Sequence, residues 1–192
     1  MATDDLDDNC WLLVHEVRLR GVVDGTDEVV EVRVVEAGLA KRVPKGLRLT
    51  EAGHEHHAQW ARVAPGEVEV AVERAYQRFL TLNLELIRVC NDWQVRPGGA
   101  PNDHTDPTYD WSVVDRLVTI DDRVGPILRT ATQYVMRFGG YRPRLRHARQ
   151  RVNDGDYEWL TSPRIDSYHT VWMQLHEDLL LALGRDRASE SE

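Results

Sequence analysis

The residue types best suited to chemistry gather in two places. Between Asn91 and Tyr109 (NDWQVRPGGAPNDHTDPTY) the chain carries Asp92, Asn102, Asp103, His104 and Asp106, with Trp93 and Tyr109 near the flanks, in a connection rich in Gly and Pro. Carboxylates and an imidazole held by a loop between two long helices can move protons at a pocket mouth. The same Asp and Asn residues also suit helix caps and turns. Near the C-terminal end, Asp166, His169 and His176 follow one another at steps of three and seven, beside Tyr168, Trp172 and Leu175. On a helix that spacing puts all of them on one side. An Asp one turn before a His can orient its imidazole, the side chain best suited to proton transfer near neutral pH.

These residues predict a site in which His169 acts as acid or base, oriented by Asp166, with His104 and Asp103 as further acid–base groups. Trp93, Asn102, Tyr109, Tyr168, Trp172 and His176 would line the ligand. Asp103, His104, His169 and His176 offer ligands that suit iron, manganese or zinc. The sequence has no HExxH pattern, and neither a metal nor another cofactor is expected. No Gly-rich phosphate loop, GxSxG elbow or CxxC pair is present either. His54, Glu55, His56 and His57 read as part of a solvated helix. Six arginines between Arg137 and Arg151 (RFGGYRPRLRHARQR) read as a solvated face pairing with nearby acids, or else as an anion site.

The whole chain constrains the function classes. It has 192 residues, 42% of them hydrophobic, and a net charge of −8. A core can form, and the global field repels nucleic acid unless a local basic face offsets it. Only Cys10 and Cys90 are present, which suits reduced thiols in a cytoplasmic protein. No apolar run reaches the roughly 18 residues of a membrane span, and Met1 to Asp8 is acidic rather than signal-like.

The positioning elements follow from periodicity. Residues 1–8 read as a disordered acidic tail. Asn9 to Gly21 reads as a helix, and Asp24 to Ala37 as either a strand or a short helix. Leu39 to Leu49 reads as two strands around Pro44-Lys45-Gly46, and Thr50 as the N-cap of a helix reaching Val63. Pro65-Gly66 is the linker. Beyond it, Glu67 to Gln94 and a segment from Pro107 to Phe138 carry apolar residues at steps of three and four, the mark of long amphipathic helices. Pro143 to Val152 is a shorter helix, Asn153-Asp154-Gly155 a turn, and Ser162-Pro163 the start of a last helix ending at Gly184. The expected architecture is mainly α: a degenerate winged helix with a small hairpin wing over 9–64, a helical bundle over 67–185, and a polar tail over 186–192.

The stretch Val35 to His57 (VEAGLAKRVPKGLRLTEAGHEHH) carries a resemblance. "EAGL", a basic wing and then "LTEAG" look like the end of the recognition helix, the wing and the following helix of MarR-like regulators. With the helical C-terminal part, the chain is similar to actinobacterial proteins of that type, some of them associated with pyruvate phosphate dikinase-like proteins. The resemblance implies a ligand-responsive, dimeric transcription regulator whose Lys41, Arg42, Lys45 and Arg48 touch DNA. One count departs from that pattern. A supporting helix, a turn and a recognition helix need about 20–25 residues, and Val22 to Ala37 supplies sixteen. There is room for one helix, and it carries Asp24, Asp27, Glu28, Glu31 and Glu36 against Arg33 alone. Acids there repel phosphates and cannot take the usual base contacts. The reading is therefore a small-molecule-binding protein on a regulator-derived scaffold, able to support cofactor-independent acid–base chemistry of a lyase, isomerase or cyclase type. A MarR-like regulator that binds DNA is the alternative.

Overall fold

The computed structural model describes residues 6–25 and 27–186. Most of the acidic segment expected over 1–8, and the polar end beyond residue 186, lie outside the described residues. The fold is mainly helical, with an antiparallel hairpin, and the described residues divide into two compact units: those within 1–64 and 177–192, and those within 65–176.

The N-terminal unit starts with α1 (Asp8–Arg20), capped by the Asp7 carboxylate, which accepts from the Cys10 amide. The segment of uncertain type becomes a helix: α2 (Glu28–Glu36), where Asp27 accepts from the amides of Val29 and Val30. A single helix thus stands between α1 and the hairpin, as the residue count requires. Strands β1 (Ala40–Val43) and β2 (Gly46–Leu49) pair with Ala40 opposite Leu49 and Val43 opposite Gly46. Val23 adds an antiparallel bridge to Leu47. Its carbonyl lies where a Cβ on Gly46 would stand, 2.0 Å away, and Gly46 has φ 120°, so this turn needs glycine on two counts.

Helix α3 (Glu51–Ala61) begins at Thr50, whose hydroxyl accepts from the Gly53 amide and donates to the Gly38 carbonyl. A capping box would put Glu at Gly53. The glycine has a different reason: a Cβ there would come within 1.9 Å of the Leu39 carbonyl oxygen. The first turn of α3 rests directly on backbone. Leu13, Val14, Val17, Val34, Leu39, Leu47 and Leu49 close the core of this unit.

The helical unit holds α4 (Glu67–Gln94) and α5 (Pro107–Tyr134). Arg116 pairs with Asp92 and Arg123 with Glu85. The partners step in opposite directions, so the two helices are antiparallel. Val72, Phe79, Leu82, Leu86, Val113, Leu117, Ile120 and Val124 fill the space between apolar stripes. Pro126 sits inside α5 and removes one donor from its ladder. This helix ends four residues earlier than its periodicity suggested, because Met136–Gly140, which includes the paired glycines, tightens into a 3-10 turn.

Helix α6 (Tyr141–Asn153) and the short α7 (Glu158–Thr161) follow. The last helix, α8 (Tyr168–Ala182), starts later than Ser162-Pro163 suggested. Residues 163–166 form a turn, and Ser167 caps the helix, its hydroxyl accepting from the Thr170 amide. The helix contributes its residues up to His176 to the helical unit and those from Glu177 to the N-terminal one.

Candidate functional site

The loop between α4 and α5 is built around its own backbone bonds. Gly98 (φ 99°) and Gly99 (φ 89°) turn the chain, Arg96 N–H bonds the Ala100 carbonyl at 2.8 Å, and Val95 bridges to Pro101. Asn102 then fastens the loop to both helices. Its amide N–H bonds the Gln94 carbonyl at 2.8 Å, and its side-chain Nδ2 donates to the Trp93 carbonyl at 3.1 Å and to Asp110 Oδ1 at 2.8 Å.

This frame holds His104 against Asp110. The His104 Nδ1 lies 3.2 Å from Asp110 Oδ1 and 3.1 Å from Oδ2. The Asp110 side chain is 3% exposed and that of His104 is 29% exposed. A buried carboxylate accepts only, so in a neutral ring it favours the tautomer with the proton on Nδ1, the nitrogen that Asn102 Nδ2 also approaches at 3.2 Å, and leaves Nε2 as the acceptor. His104 is the one non-glycine with positive φ (56°) among the described residues. A strained backbone is kept where its surroundings over-determine it. Here the ring sits 4.5 Å from Trp93 and 5.4 Å from Tyr157 between centroids, and Trp93 and Tyr157 meet edge to face at 5.3 Å.

The other loop residues have structural employment. Asp103 folds back on Thr105, accepting from its amide at 3.1 Å and its hydroxyl at 2.8 Å, and these bonds hold its carboxyl below the usual range. Asp106 caps α5 and pairs with Arg96, whose guanidinium lowers its pKa. Tyr109 donates to the Asp92 carbonyl at 2.8 Å, and the Arg96 guanidinium stacks on its ring.

The C-terminal residues are placed differently from the expectation. Asp166 precedes α8 rather than sharing a helical face with His169, and it accepts from Arg144 Nε at 3.1 Å. Arg144 also donates to the buried Gln174. His169 is half-buried in the first turn of α8. Tyr168 and Trp172 are fully buried, so they are core residues where the sequence suggested pocket lining. Trp172 stacks on Phe79 at 4.7 Å and donates to Asn83 Oδ1, while Tyr168 donates to Asp121 Oδ1 at 3.3 Å. Burial and the Asp121 charge push the Tyr168 hydroxyl well above its ordinary pKa. His176 is buried as well, 5.2 Å from the Phe79 ring.

Two clusters escaped the sequence reading. In the helical unit, fully buried Asp121 binds Arg142 through Oδ1 and Arg149 through Oδ2, the latter at 3.2 Å. The Arg face was legible, but its acid lies in an unremarkable stretch of α5. In the N-terminal unit, His15 Nε2 lies 3.1 Å from Asp178 Oδ2, and His15 Nδ1 lies 2.9 Å from His57 Nε2. All three are buried. His57 therefore leaves the solvated set expected for residues 54–57, and rings of Trp60 and Trp11 continue the stack. Only a fold that returns residue 178 to α1 could reveal this.

On the wing, Lys41, Arg42, Lys45 and Arg48 are exposed. Arg42 is paired at 2.7 Å with Glu31 of α2. Among the described residues, no group of three or more His, Cys, Asp or Glu is placed to hold a metal ion, and no helix is long and apolar enough to cross a membrane. Comparison with known protein families, curated proteins and solved structures gives no match.

Proposed function

We propose that the helical unit binds a small polar metabolite beside His104 and exchanges a proton with it through Nε2. The observation that carries this reading is the His104–Asp110 pair: a buried carboxylate on Nδ1, a part-exposed ring and a left-handed backbone in one residue. The pair can take up a proton at Nε2 while Asp110 stabilises the imidazolium that results. Trp93 and Tyr157 give the ring an aromatic wall, and Asn102 fixes both partners. His169 and Asp166, the pair suggested by spacing, stand second in this reading, since Asp166 lies before α8 and accepts from Arg144.

DNA recognition has less support. The helix before the hairpin starts with acids, and one of them, Glu31, occupies Arg42 of the wing. Phosphate contacts from Lys41, Lys45 and Arg48 would position a protein without specifying sequence.

A metabolite library screened by ligand-observed NMR tests the proposal. Wild-type protein and His104→Gln are compared at matched thermal stability. The expected result is a set of compounds bound by wild type and lost at least tenfold in the variant, with the His104 ring signals moving on binding. Equal binding by both proteins, or binding that leaves those signals in place, overturns it.

A further inference from the structure

Helix α6 presents Arg142, Arg146 and Arg149 at steps of four and three, hence on one face. Arg142 hydrogen-bonds Asp121 and Arg149 lies within ion-pair distance of it at 3.2 Å, so two guanidinium groups face one buried carboxylate, which neutralises only one of them. A third arrives from α5. A Cβ on Gly125 would stand 3.4 Å from Arg142 Nε and 3.6 Å from Arg129 Nη1, so both guanidinium groups lie over the same bare patch of helix. Arg129 and Arg146 are exposed and have no carboxylate within ion-pair distance among the described residues. Like charges brought together this way repel, and an anion between them removes the repulsion. Fork-shaped donors suit phosphate oxygens.

We infer that this α5–α6 face is a binding site for a compact, phosphorylated small molecule, with Asp121 holding Arg142 and Arg149 in place and Arg129 and Arg146 closing on the phosphates. The net charge of −8 favours a compact anion over a long nucleic acid, which would extend beyond the local positive field. The site uses none of the residues around His104, so either proposal can fail alone.

Isothermal titration of the full chain with sodium pyrophosphate tests it. The expected result is one saturable site whose affinity falls as salt rises. The double variant Arg129→Gln/Arg146→Gln should weaken binding at least about tenfold while melting as wild type does, since neither side chain is buried. If the double variant fails to fold, each single variant should still weaken binding severalfold. No binding at millimolar pyrophosphate overturns the inference. So does wild-type affinity in the variants, or a single-stranded oligonucleotide that binds and is not displaced by pyrophosphate.

Discussion

His104 Nδ1 and the Asp110 carboxylate are in contact at 3.1 Å, one residue in a strained loop and the other in the first turn of α5. Asp110→Asn replaces an acceptor-only group with one that also donates. The imidazole then loses the partner that selected its tautomer, and Asn102 loses an acceptor. Unfolding free energy should fall by about 1–3 kcal/mol. Nitrogen-15 spectra of the ring should show the proton moving from Nδ1 toward Nε2. An unchanged tautomer would mean that the loop, not Asp110, sets the ring.

The backbone at His104 gives a second prediction. His104→Ala and His104→Gly both remove the ring contacts, but only glycine suits φ 56°. The glycine variant should be more stable than the alanine variant by about 1 kcal/mol. Urea denaturation of the pair checks this, since their difference cancels the shared loss of the imidazole.

Asp121→Ala leaves Arg142, Arg149 and the Tyr168 hydroxyl without their buried acceptor. The expected cost is about 3–5 kcal/mol, large enough to melt a marginal domain. Thermal unfolding followed by tryptophan fluorescence would report it, because Trp172 stacks within 6.0 Å of Tyr168.

Gly53→Ala forces a methyl group onto the Leu39 carbonyl. The α3 start must lift from the hairpin, and a loss above about 2 kcal/mol is expected. His54→Ala, one residue on and exposed, should stay within about 0.5 kcal/mol. The contrast separates backbone contact from helix propensity.

Cys90 sets an alkaline limit. Burial pushes its thiol up to about 12 from an ordinary value of 9.0. Between those values the unfolded chain has lost the proton that the native chain retains. Stability from this group is therefore intact below about pH 9 and declines as pH rises through the window. Cys90→Ala should flatten the alkaline fall in the urea midpoint, and iodoacetamide should label native protein slowly at pH 8.

Much of the helical architecture was readable because long amphipathic stripes repeat at 3.6 residues. The single helix before the hairpin followed from a residue count. The start of α8 did not, since Ser162-Pro163 carries a start signal as plain as the Ser167 cap that the chain uses. Within the site, Trp93, Asn102 and His104 were recognisable as loop residues between helices. Asp110 was not, because an Asp at the start of a helix ordinarily serves the helix terminus and its burial depends on tertiary packing. Tyr157 lay beyond reach for the same reason: nothing local ties it to Trp93. His15, His57 and Asp178 show the limit most clearly, since each has ordinary neighbours in sequence and meets the others only in space.

That last trio also orders events during synthesis. Arg18 and Glu177, which sit beside it, are separated by 159 positions and hydrogen-bond at 2.9 Å. Residues 1–64 therefore emerge from the ribosome without Asp178, and His15 finds its carboxylate only after the whole of 65–176 has been made. A nascent fragment ending at Ala64 should hold the hairpin and α3 while leaving His15 and His57 without their acid. Joining the terminal segment earlier, by a circular permutation that places residues 177–186 ahead of α1, should let this unit close while the rest is still being made.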